Sequence, residues 1–289
     1  MTPEELKELE ERIERFSAEQ DPKKLGRKAR GAVEDLLDAL EEGHVRAAVR
    51  DKRGAWSAVP WVKRGILLGF RASELEETAI PDPALGIAFT FLDKDLFPPR
   101  QFAEEDGVRI VPGGSMIRRG AHISKGVVCM PPMYVNVGAY VGADTMIDSH
   151  ALVGSCAQVG DRVHLSAAAQ IGGVLEPVNA SPVVIEDDVL VGGNCGVYEG
   201  TVVRRKAVLA AGVVLTRGTP VYDLVNQRVL KGSADAPLEI PECAVVVPGA
   251  RAVTSDWGAQ HGLSLQTPVI VKYRDEKTDL ATALEAWLR

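Results

Sequence analysis

Seven residues in this sequence have the chemistry to act on a ligand. Two are carboxylates: Asp148, which ends the stretch Thr145-Met146-Ile147-Asp148, and Glu199, which precedes Gly200. A positioned carboxylate accepts or holds a proton, and Asp is also a common turn former. From spacing alone both readings stand for each of the two. Arg109 is either a surface charge or a bidentate clamp for a carboxylate. His150 and His164 are either general bases or solvated, wall-lining rings. Gly172 and Gly173 form a bare backbone that a ligand can approach closely, or else a plain turn or bulge.

Other chemistries are disfavoured. The cysteines are Cys129, Cys156, Cys195 and Cys243; no two form C-x-x-C, and their spacings fit no zinc pattern. Cys156 reads as a packing residue in a reducing compartment. His122, His150 and His164 lack the short His-to-His spacing of a three-histidine metal centre, so we expect no metal. A net charge of −7 leaves no electrostatic footprint for nucleic acid. The basic residues Arg204, Arg205, Lys206 and Arg217 form either a solvated face or a local site for phosphates. No run approaches the roughly 18 apolar residues of a membrane span. The charged start MTPEELKELEERIERF lacks a signal peptide's apolar core, so we expect a cytoplasmic location.

The elements that must position these residues follow from a repeat. Stepping by six from Ile117 meets Ile123, Cys129, Val135, Val141, Ile147, Val153, Val159, Leu165 and Ile171. At 46% hydrophobic composition, ten apolar hits in one phase have a chance on the order of one in two thousand. Two residues before each sits a mostly small side chain, such as Ala121, Ala139, Ala151, Ala157 or Ala169. A period of six fits short parallel strands joined by tight turns, three to a triangular coil. The phase slips between Ile171 and Ile185, an interval that reads as two hexads plus two, and resumes through Val191, Val197, Val203, Leu209 and Leu215. This predicts a mainly β chain with a parallel β-helix of five to six coils over 106–217 and an external loop near 172–184. A mostly helical α/β cap is expected over 1–105, with Leu6, Leu9, Ile13 and Phe16 on one helix face, a second helix at 31–42 stopped by Gly43, short strands at 45–50 and 55–58, and a helix at 60–70. A small strand-and-helix extension is expected over 218–289, with strands at 219–224, 227–231, 243–249 and 267–273, a mobile stretch at 251–264 and a terminal helix in TDLATALEAWLR.

The pieces YVNVGAYV, TMID, VGSCAQVG, VHLS, IGGVLEP, VVIEDDVLVG and VYEG, with RIVPGG at 109–114, resemble the tetrahydrodipicolinate N-succinyltransferase family of hexapeptide-repeat acyltransferases. The resemblance covers most of the chain. It implies a left-handed β-helix, a homotrimer with sites between neighbouring helices, and succinyl transfer from succinyl-CoA to tetrahydrodipicolinate with no resident cofactor. It also implies Asp148 as a catalytic and substrate-binding residue, Arg109 as a substrate-carboxylate ligand, and the Gly172-Gly173 loop as a wall for the CoA arm. The best-known branch carries an active-site Glu where this chain has Gly196, which leaves Glu199 as the nearest carboxylate. Two alternatives stay open: an N-acetyltransferase on the same acceptor or an amino sugar, and a non-catalytic assembly scaffold.

Overall fold

In the computed structural model, which describes residues 1–82, 87–233 and 236–274, a helical N-terminal unit leans against a triangular parallel β-helix. Helix α1 (Pro3–Ser17) starts at a capping box between Thr2 and Glu5 and buries Leu9 and Ile13. Helix α2 (Arg27–Glu41) begins earlier than the pattern predicts, because Ala29 already belongs to its buried face. Gly43 follows it at φ 76°, the left-handed turn that the stop requires. Strands β1 (Ala48–Arg50) and β2 (Trp56–Ala58) pair antiparallel, and helix α3 (Pro60–Ala72) packs on α1 and α2. An antiparallel hairpin, Leu75–Asp82 with Ile87–Lys94, is not expected from the sequence. Its exposed Leu75, Phe91 and Leu92 break the alternation that marks a half-buried strand.

The hexads fold as parallel two-residue strands. The first face stacks Arg109–Ile110, Val128–Cys129, Met146–Ile147, His164–Leu165, Leu190–Val191 and Val208–Leu209. The second stacks Met116–Ile117, Tyr134–Val135, Leu152–Val153, Gln170–Ile171, Gly196–Val197 and Val214–Leu215. The third runs from His122–Ile123 through Tyr140–Val141, Gln158–Val159, Val184–Ile185 and Val202–Val203 to Glu239–Ile240. In each pair the second residue points inward and is buried, except at the open first rung. Each fully buried Val, Leu or Ile contributes about 1.5–3 kcal/mol relative to exposure. The small residues two positions earlier sit at the narrowing corners, where Ala121, Ala157 and Ala169 are fully buried.

Many corners need a residue at positive φ. Asp144, His150, Cys156, Arg162 and Ala168 take it at φ 52–66°, one in each successive hexad. His150 is therefore an exposed turn residue, its N–H given to the Pro132 carbonyl.

The phase slip has a different structure from the one expected. Gln158–Val159 pairs with Val184–Ile185, so the strands at 170–171 and 184–185 are consecutive. One hexad carries an eight-residue insertion; there is no extra hexad. The loop is tied down: Lys63 of α3, fully buried, donates to the Ala180 carbonyl, and Leu175 packs into the N-terminal core. Burial pushes the Lys63 ammonium pKa down.

Beyond 217 the chain makes an antiparallel pair, Val221–Asp223 with Arg228–Leu230, and then returns to the prism. Glu239–Ile240 and Ala244–Ala252 extend the third and first faces, and Ser264–Tyr273 pairs antiparallel with the latter. The stretch expected to be mobile at 251–264 instead ends one strand and forms a short helix, Asp256–Gln260, capped by Ser255. The expected terminal helix lies outside the described residues.

Buried Asp223 locks this extension. It accepts from Asn226 Nδ2 and the Tyr273 hydroxyl, both at 2.8 Å, and from Arg228 Nε at 3.2 Å. Burial alone would raise its pKa; these donors outweigh it and hold the group at about 2, below the ordinary 3.8. A depressed carboxyl contributes stability above its unfolded value and loses it as pH falls through the folded one. Thermal unfolding followed from pH 6 down to about 2 should show that loss below about pH 4. Asp223→Asn should have a lower Tm at neutral pH and a flatter acid limb; an unchanged acid limb would refute the assignment.

Candidate active site

The fold places the candidate residues in two groups, at the two corners that flank the second face. Asp148 sits at the first corner, just past the strand Met146–Ile147. Its backbone N–H is held by the Leu165 carbonyl at 2.9 Å, and its Oδ1 accepts from the Ser149 N–H at 2.7 Å. Oδ2 faces His164 Nε2 at 3.8 Å. His164 stands on the next rung of the first face, and both side chains are largely shielded, at 13% exposure for the histidine and 29% for the aspartate. Arg109 is on the first rung of the same face, two rungs before Met146, and is exposed. Successive rungs are about 4.8 Å apart. The first corner thus combines a carboxylate, an imidazole in ion-pair reach and, along the same face, a guanidinium.

The second corner holds Gly172, Gly173 and Glu199. Registration makes Gly172, Tyr198 and Thr216 equivalent in successive coils, and likewise Glu199 and Arg217. Gly173 is required by packing, since a Cβ there would lie 2.3 Å from the Ser155 nitrogen. A Cβ on Gly172 or on Gly196 would strike the Tyr198 ring, at 2.7 Å and 2.5 Å, so that ring folds flat across both glycines. Exposed Glu199 accepts the Arg217 N–H on Oε2 at 3.0 Å. Asp148 and Glu199 are therefore at different corners, and one chain does not bring them together.

Three of the four cysteines occupy packing positions. Cys129, Cys156 and Cys195 are buried. Burial pushes the Cys156 thiol up to about 12 despite Lys63 nearby, and Cys129 likewise to about 12. Half of the basic run is paired: Arg204 binds Glu186, Glu239 and the Gly54 carbonyl, and Arg205 lies 3.6 Å from Glu242. Cavities of about 510, 340 and 520 Å³ lie against the N-terminal unit, lined by residues such as His122, Trp56 and Phe97, and none of the three touches Asp148 or Glu199. Residue type and motif alone give His164 no partner. Stepping from Met146 by a whole coil of three hexads lands on His164, and that count is the signal that places it one rung away. Tyr198 becomes visible as a neighbour of Gly172 only through the registration across the eight-residue insertion, whereas Arg217 follows Glu199 by one regular coil.

Short parallel strands in a triangular prism, with chemistry confined to the corners, are the architecture of the hexapeptide-repeat acyltransferases. A family model described as the N-terminal part of tetrahydrodipicolinate N-succinyltransferase matches residues 8–72, and one described as the hexapeptide repeat of succinyl-transferase matches 182–217. A Rhodopseudomonas palustris protein named 2,3,4,5-tetrahydropyridine-2,6-dicarboxylate N-succinyltransferase is 42% identical over 266 residues, 90% of each chain. Proteins of the same name from Nitrobacter hamburgensis and Idiomarina loihiensis are 41% and 39% identical over 90% of this chain, covering 90% and 89% of their own lengths. A solved Campylobacter jejuni structure, described as a tetrahydropyridine-carboxylate N-succinyltransferase, shares the fold at TM-score 0.51 and 17% identity, over 87% of this chain and 64% of that one. The chain belongs to the tetrahydrodipicolinate N-succinyltransferase family.

If no acyl-cysteine forms, Cys156→Ala should keep turnover within about twofold of the parent while lowering Tm through lost packing. Abolished turnover in a variant that still folds would put the thiol back into the reaction.

Proposed function

We propose that the chain transfers the succinyl group of succinyl-CoA to the amino group of ring-opened tetrahydrodipicolinate, the step its relatives' names describe in outline. The observation that carries this reading is identity of 41–42% sustained over 90% of the chain. Succinyl-CoA is a co-substrate, and the chemistry needs no resident cofactor.

The thioester is already activated, so the work is positioning and proton handling. The amine nitrogen attacks the thioester carbon, a C–N bond forms, and the C–S bond breaks. The nitrogen loses a proton and the CoA sulfur leaves as thiolate, which takes one up. Asp148, with His164 at 3.8 Å, is the proton acceptor of this reading. Arg109 clamps a carboxylate of the acceptor by a bidentate contact. Glu199 orients the amine from the other side, and the bare backbone at Gly172 and Gly173 lines the CoA arm.

The separation of Asp148 and Glu199 supports a homotrimer. Corners on either side of the second face meet only if a neighbouring prism supplies the second one, and three-fold packing of triangular prisms does this three times over. Buried free thiols support a cytoplasmic setting.

Asp148→Asn keeps the shape and removes the base. It should lower kcat about 10²-fold or more with Tm nearly unchanged; near-full kcat together with an inactive Glu199→Gln would move the base to the second corner. Arg109→Ala should raise KM for the acceptor far more than for the CoA ester, and an unchanged acceptor KM would make Arg109 a surface charge. Light scattering at micromolar concentration should give three chains per particle; one chain would refute the shared site.

A further inference from the structure

Arg217 differs from Arg204 and Arg205, which pair with carboxylates. Its Nε is buried and has no hydrogen-bond partner, and among the described residues no carboxylate pairs with its guanidinium. Buried unpaired donors are rare, and each calls for an explanation. The stem is fixed: a Cβ on Gly232 would lie 2.8 Å from Arg217 Cγ, and the Gly232 N–H binds the Arg217 carbonyl at 3.1 Å. The backbone is fixed from the other side by Glu199, whose Oε2 takes the Arg217 N–H. Registration puts Arg217 one rung from Glu199, at the corner that Gly172 also occupies. A guanidinium is a planar fork of donors, the geometry that receives a carboxylate by two parallel bonds.

We infer that Arg217 recognises the free carboxylate at the far end of the donor's succinyl group, and so selects a dicarboxylic acyl donor over a neutral one. The inference rests on the succinyl-transfer reading above and names the specificity device of that site. The corner supports it by its charge: exposed Glu199 stands on one rung and the guanidinium on the next, at the corner the site already uses. An acyl chain lying along this corner meets the cation with its distal end. A carboxylate matches the two parallel donors of the guanidinium, and the shared chemistry, an anionic oxygen, makes a CoA phosphate the competing source.

The test compares succinyl-CoA with butyryl-CoA, which replaces the carboxylate by a methyl group and keeps the chain length. Kd for both esters is measured by calorimetry on the intact protein, together with turnover of succinyl-CoA on tetrahydrodipicolinate. Arg217→Gln should weaken succinyl-CoA about 10- to 100-fold, the usual cost of a charge-assisted hydrogen bond, and leave butyryl-CoA within about twofold. Arg217→Lys, which keeps the charge and the stem against Gly232, should lose less. Equal weakening of both esters would overturn the inference and assign Arg217 to a CoA phosphate. Unchanged succinyl-CoA affinity in both variants would overturn it outright while leaving wild-type succinyl transfer standing. Absence of succinyl transfer in the wild type would overturn the functional reading, and this inference with it.

Discussion

Each coil of the prism is tied to the next by parallel backbone hydrogen bonds and by an inward residue that stacks on its equivalent one coil away, as Ile147 does on Cys129 and Leu165. That stack allows no freedom of register. A shift of one residue would turn the buried Val, Ile and Leu column outward and the polar column inward. Everything functional depends on this constraint, because it fixes the corner residues to fractions of a turn without asking anything of the side chains themselves. Asp148 is held by a carbonyl of the next coil and by its own turn, and Glu199 is held by the backbone of the following one.

The same constraint explains what is legible in the sequence. The hexad period specifies the prism and the small residues at its corners, and the helical period puts Leu9 and Ile13 inside the N-terminal unit, because each is a local pattern repeated many times. The hairpin at 75–94 escapes because its exposed apolar residues follow no period. The insertion misleads because the interval from Ile171 to Ile185 divides as readily into two hexads plus two as into one hexad plus eight. Only the pairing of Val184 with Gln158, and the anchoring of the loop by Lys63, decide between them.

The candidate site is legible as a set of residues but not as an arrangement. Motif and residue type single out Asp148, Arg109, Glu199 and the two glycines; nothing local says that they occupy different corners. Their separation follows from counting three strands per coil, which also brings His164 to Asp148 and Arg217 to Glu199. Of the two roles that spacing leaves open for Gly173, packing is the one the fold displays, since the backbone of Ser155 excludes any Cβ.

The central claim is that a working site is assembled from the first corner of one chain and the second corner of its neighbour. Subunit complementation tests it most directly. Asp148→Asn and Glu199→Gln chains, each inactive alone, are unfolded, mixed in equal amounts and refolded together. Random assembly then gives about one interface in four with both native carboxylates. The account predicts that turnover returns to roughly a quarter of the wild-type value in the mixture and stays at background in either variant refolded alone. A mixture no more active than its parents would contradict it, and would place the whole reaction within single chains.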